Sequence, residues 1–305
     1  MPMKILFFLL IITACPTPSL AGNFREYRSP EVVVRFDPQL ENAAGKIVAA
    51  YPEIRADLEE KLGWKVDFVP TVVLIHRNAE FQKRVGNDLV TAFAVSREKL
   101  IVMDHSKMYR TPVNLQATFV HELSHLLLGR NIQAPYLPKW LNEGVAQWAS
   151  GGISEIISPE STDMLKQAAL TDRLIPLRDL SSAFPRQPGR FILAYQESKS
   201  FVEFIIREYG EDGLLSVLES LRKKHTIEQA VEENLSVSLN RLEADWKESL
   251  AGGYPLFSYI LGHFSWLLFF MAALLTVLGY LKFRIRMKNY RDEEDEDSYY
   301  EDNED

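Results

Sequence analysis

The pentapeptide His121-Glu122-Leu123-Ser124-His125 constrains this 305-residue chain more than any other stretch. Residues four apart on a helix share one face, one turn from each other. Both imidazoles can then reach a single metal ion, with Glu122 beside it as a general base for water. The flanks read as an amphipathic helix. Thr111-Pro112 predicts a hydroxyl cap followed by proline at the first helical position. Val113, Val120, Leu123 and Leu127 form an apolar stripe, and Gly129 predicts the C-terminal stop. The competing reading is a buried helix whose histidines are satisfied core residues.

A zinc site needs a further protein ligand, histidine or carboxylate in most cases. Glu143 lies eighteen positions after His125, inside Trp140-Leu141-Asn142-Glu143-Gly144-Val145-Ala146. This run also reads as a helix, opened by Pro138, with Gly144 leaving room for close approach to the first helix. A lone helical glutamate commonly sits on a solvated face. One flanked by Trp140, Leu141, Val145 and Ala146 does not fit that pattern. The single cysteine, Cys15, lies near the N-terminus, which leaves His and Glu to build the site.

HELSH followed by WLNEGVA resembles the gluzincin metallopeptidases, the thermolysin and aminopeptidase N type. The compact bacterial peptidase MA-like domains, often attached to membranes, are the most similar group. The resemblance covers about residues 25–250, and its specific part is 112–148. It implies that His121, His125 and Glu143 bind one Zn2+, that Glu122 is the catalytic base, and that the substrate is a peptide or protein. It also points to Tyr195 as a donor to the oxyanion, a packing tyrosine being the alternative. A sheet edge at residues 91–103 would hold extended substrate by strand addition, unless it is an ordinary core hairpin. Two departures stand out. The gap from His125 to Glu143 is a residue or two shorter than in the best-known gluzincins. Gln147 stands where thermolysin-like enzymes carry an Asp that orients one histidine.

The fold class expected is α+β. A small mixed sheet precedes the zinc-binding helix pair, and a mostly helical C-terminal half follows, then one transmembrane helix. Strands are expected at 32–36, 66–75 (interrupted by Pro70), 91–95 and 100–103. Helices are expected at 39–62 (broken near Pro52), 78–85, 160–172, 190–209, 211–224 and 236–250. A proline-bearing loop at 175–189 borders the cleft. Of the other histidines, His105 beside Asp104 is the one to check for proximity to the site.

Residues 1–21 have the form of a signal peptide: Lys4, an apolar run from Ile5 to Ile12, and Ser19-Leu20-Ala21 for cleavage. Ile12-Thr13-Ala14-Cys15 alternatively resembles a lipobox, which would make Cys15 a lipidated terminus. Residues 22–253 are then an extracytoplasmic metallopeptidase domain. No formal charge occurs from Ser249 to Leu281, and 254–281 is long enough to span a bilayer. Lys282, Arg284, Arg286, Lys288 and Arg291 follow, which places that side in the cytoplasm. Residues 282–305 are a basic juxtamembrane segment and a disordered acidic tail. The protein expected is single-pass in the cytoplasmic membrane of a bacterium. The formal net charge is −8, but the last fourteen residues carry ten acids and no base. The remainder is nearly neutral, which excludes a basic nucleic-acid-binding face.

The function expected is peptide-bond hydrolysis outside the cytoplasmic membrane. A non-catalytic, zinc-stabilised membrane module binding envelope proteins is the alternative, although such a module has no need of Glu122. Another amide, such as cell-wall peptide, would suit the same motif. An intramembrane protease fits poorly, because the motif is far from the span. No amine-binding motif of the aminopeptidase kind is evident, which favours an endopeptidase. Nothing in the sequence bears on oligomeric state.

Overall fold

The computed structural model describes residues 24–108, 114–151, 161–252, 269, 271–280 and 282–284. The expected signal peptide, Cys15 and the acidic tail lie outside the described residues. So does most of the expected membrane span. Among the described residues no helix is long and apolar enough to cross a membrane. The chain divides into two compact units, Met1–Leu165 with Leu174–Glu243, and Lys166–Arg173 with Ala244–Asp305.

The first unit carries a five-stranded mixed sheet in the order β1-β2-β3-β5-β4. The strands are β1 (Arg25–Arg28), β2 (Val33–Phe36), β3 (Thr71–Ile75), β4 (Ala92–Val95) and β5 (Leu100–Asp104). The three central strands β2, β3 and β5 are parallel, and β1 and β4 run antiparallel at the two edges. Alternation along the strands separates two faces. Val73, Ile75 and Val102 pack with Phe81 of α2 (Asn78–Val85). Val72, Leu74, Ile101 and Met103 are buried on the other face. There α1 (Glu41–Leu62) and α3 (Leu115–Asn131) meet the sheet, and Tyr51 touches Phe119 between them.

Pro52 does not break α1, which runs unbroken for 22 residues to Gly63 in the left-handed conformation. Pro52 is exposed, and its missing N–H frees only the carbonyl one turn earlier, at Val48, which is half-buried. The strand expected from Val66 starts only after Pro70. Edge strand β1 was not foreseen. Its alternating charges are tied by ion pairs such as Arg35–Glu26 and Arg25–Glu41.

The helical half begins with α4 (Lys139–Ala149), then α5 (Ser161–Leu170), α6 (Pro188–Arg222), α7 (Ile227–Leu235) and α8 (Leu239–Gly252). The helices expected at 190–209 and 211–224 are the two arms of α6, bent at Gly210 (φ 75°, ψ 170°). Helix α7 was missed, although Thr226 and Gln229 form a complete capping box. In the second unit, residues 271–280 are helical, and Leu274, Leu275 and Val277 are each more than half exposed.

Candidate metal centre

Helix α3 starts later than Thr111-Pro112 predicted. Asn114 is its cap, accepting from the Ala117 N–H at 2.9 Å, and Thr111, Pro112 and Val113 lie outside the described residues. It is not a one-sided amphipathic helix either. Thr118, Phe119, His121, Glu122, Leu123, Ser124, Leu126, Leu127 and Leu128 are all buried, because the sheet, α1 and α4 surround it. Gly129 does not stop it. It lies within the last turn, where an added Cβ would come within 2.5 Å of Ser96 Oγ. That hydroxyl donates to the His125 carbonyl at 3.2 Å and fastens the β4–β5 turn to the helix.

Helix α4 follows Pro138, and its Trp140 ring meets Phe201 of α6 edge-on. Gly144 does permit a close approach, but to α6 rather than to α3. A Cβ there would lie 2.4 Å from the Ser198 carbonyl oxygen and 2.6 Å from Val202. With α4 pressed onto α6 on one side, Glu143 projects toward α3 on the other.

His121, His125 and Glu143 meet. Their Nε2 atoms are 3.1 Å apart, and Glu143 Oε2 lies 3.7 Å from His121 Nε2 and 3.5 Å from His125 Nε2. Two of these residues are buried and His125 is nearly so. Donors about 2.1 Å from a tetrahedral zinc stand about 3.4 Å from one another. The three sides of this triangle bracket that spacing. Oε2 makes no regular hydrogen bond despite its burial, and it faces two ring nitrogens. A dication at the centre would satisfy all three atoms, so the residues fit zinc.

The surroundings settle which nitrogen is offered. Asn142 Oδ1 sits 3.0 Å from His125 Nδ1. It accepts the Nδ1 proton and leaves the Nε2 lone pair toward the triangle. Asn142, adjacent to Glu143, therefore orients the His125 ring, which Gln147 does not reach. Gln147 is turned elsewhere, donating to the backbone oxygens of Glu143 and Tyr195 at 3.3 and 3.0 Å. Burial disfavours the charged form of His125, but the Glu143 carboxylate outweighs it and raises the pKa. Glu143 is likewise disfavoured by burial. The charges of His125 and Lys139 overcome this and hold it well below the usual carboxylate range.

A cavity of about 240 Å³ opens on these atoms. Glu122 and Tyr195 line it with the three donors, and Val90, Ala92, Phe93, Ala94 and Ser96 form the opposite wall. The Tyr195 ring is held edge-on by Phe184 at 5.0 Å. The sequence missed Lys139 and Asn142, which also line it. Lys139 stands one turn before Glu143, a spacing that signals an ion pair on any helix. His105 is buried in the turn after β5 and does not border the cavity. Burial lowers its pKa.

Residues 111–252 match the family model of the Peptidase MA superfamily. No curated protein matches the chain. Among solved structures it is similar to a mutant of an M1 zinc metallopeptidase from Deinococcus radiodurans. The identity is 15%, the match covers 75% of this chain and 52% of that one, and the TM-score is 0.49. It is also similar to native yeast LTA4 hydrolase, at 12% identity, 74% and 38% coverage and a TM-score of 0.47. The chain thus spans about half of the first of these structures and less of the second. The match over residues 111–252, just under half of the chain, agrees with the gluzincin-type resemblance that HELSH and WLNEGVA carry.

Proposed function

We propose that this protein is a membrane-anchored zinc metallopeptidase that hydrolyses peptide bonds outside the cytoplasmic membrane. The convergence of three lone-pair donors at tetrahedral spacing, with Glu122 on the same cavity, is the observation that carries the reading. His121, His125 and Glu143 would hold zinc, which as a Lewis acid would polarise a carbonyl and acidify water. Glu122 takes the proton of the attacking water and returns it to the leaving amine. The Tyr195 phenol donates to the oxygen that becomes negative.

The opposite wall supports strand addition. Thr91 accepts from the Asp104 N–H at 2.8 Å, and the register places Phe93 opposite Val102. Hydrogen-bonded pairs alternate along an antiparallel ladder, so the N–H and C=O of Ala92 and Ala94 point away from β5. An extended peptide can pair with them nearly independently of its side chains.

The membrane tether rests on the uncharged run before Lys282, on the basic residues after it, and on the exposed apolar side chains of 271–280. The decisive experiment is a peptide-library cleavage assay on the full chain, with and without chelator. Glu122→Gln is expected to retain one zinc per chain and lose at least a hundredfold in cleavage rate. Undiminished cleavage by that variant would remove Glu122 from its role. A wild type that binds zinc and cleaves nothing would favour the non-catalytic module.

A further inference from the structure

Lys139 opens α4 against two local preferences. A cation at the first residue of a helix faces the positive end of the helix dipole. Lysine four residues before glutamate is also the weaker order for such a pair. Nothing else at that end compensates, since the cap is Pro138 and the first turn carries no acid.

The compensation comes from Glu143. Lys139 Nζ donates to Oε1 at 2.8 Å, and the carboxylate is 6% exposed. The ammonium is also 5.0 Å from the centre of the Phe184 ring, which keeps it at the cavity wall. The two oxygens of Glu143 are thus divided. Oε1 goes to the ammonium, and Oε2 goes to the imidazole pair at 3.5 and 3.7 Å. A carboxylate can ligate a metal through one oxygen or both. An ammonium has three donors and no lone pair, so it occupies Oε1 without becoming a ligand.

We infer that Lys139 is a positioning residue that confines Glu143 to a single metal-binding oxygen and so keeps the remaining coordination position open for water and substrate. This rests on the zinc reading above. Four-coordinate and five-coordinate sites differ in geometry, and geometry is readable in a metal with visible transitions.

The test uses the full chain loaded with cobalt and, separately, with zinc. Lys139→Met keeps the hydrocarbon stem against Phe184 and removes the charge. It is expected to show a severalfold weaker visible cobalt absorption and one additional oxygen neighbour in zinc X-ray absorption. Lys139→Arg, which retains a charged donor, is expected to keep the wild-type spectrum. Should Lys139→Met fail to fold, Lys139→Leu, which also lacks a donor, carries the same comparison. A merely structural lysine would leave the metal spectra of the folded variants alone. A Lys139→Met spectrum equal to wild type overturns the proposal, and so does a Lys139→Arg spectrum changed as much as that of Lys139→Met. Wild-type protein that takes up neither metal sinks the zinc reading and this inference together.

Discussion

The two walls of the cleft are built differently. The helical wall carries the donor atoms, and it is set by backbone against backbone at Gly144, where an added Cβ would meet the Ser198 carbonyl oxygen at 2.4 Å. The strand wall carries β4, and it is fastened to α3 through one hydroxyl, Ser96 on the His125 carbonyl, over Gly129. In the proposed function, chemistry falls on the rigid contact and recognition on the adjustable one. Damage to the two walls should therefore separate into loss of metal and loss of substrate.

The largest effect is expected at Gly144→Ala. A backbone oxygen cannot rotate out of the way, so α4 must move off α6 and take Glu143 with it. Overpacking of this kind costs about 3 kcal/mol, read as a lower thermal midpoint with weaker zinc binding. A variant with wild-type stability and zinc content would break the contrast. Ala94→Pro sharpens it from the other side. It deletes an outward N–H without touching a bond to β5, and proline is tolerated on an edge strand. KM is expected to rise about tenfold, the worth of one hydrogen bond, with zinc content unchanged.

Gly129→Ala should act more mildly, because it meets side-chain rather than backbone atoms, Ser96 Oγ at 2.5 Å and Ser96 Cβ at 2.8 Å. About 1 kcal/mol of stability and a raised KM are expected, partly restored by adding Ser96→Ala. An unrestored double variant would show that the hydroxyl is not what crowds the helix.

The smallest effect concerns the support of the sheet. Glu59 on α1 is disfavoured by burial, yet Lys65, Arg55 and the Val66 N–H lower its pKa to about 2. A depressed carboxylate stabilises above its unfolded pKa, about 4.3, and that stability is lost as pH falls toward 2. Lys65 is largely exposed, so the contribution is about 1 kcal/mol after screening. Wild type should lose its thermal advantage over Glu59→Gln across that window. An advantage constant from pH 7 to 2 would argue against it.

Much of the candidate metal site was legible. His121 and His125 needed only the helix period and the rarity of histidine, whereas Glu143, on another helix, was read from its apolar flanks and the gluzincin resemblance. The role of Gly129 was not legible, because a glycine near a helix end reads as a stop unless the neighbouring hairpin is in view. The start of α3 at Leu115 was not legible, because Asn114 is as ordinary a residue before a helix as the Thr-Pro pair and its cap bond shows only in three dimensions. Asn142 was not legible, because the gluzincin pattern places a histidine's partner four residues after the glutamate, whereas here it directly precedes Glu143. The continuity of α1 through Pro52 depended on solvent exposure, which no local pattern reveals. Strand β1, charged at nearly every position, had no apolar alternation to betray it.

That same strand bears on how such molecules could be crowded together. A four-residue edge laced with Arg25, Glu26 and Arg28 gives a neighbouring copy little to pair with. Molecules gathered side by side on a surface would then resist zipping into ribbons through β1, and the receptive edge at β4 would stay available to passing chains.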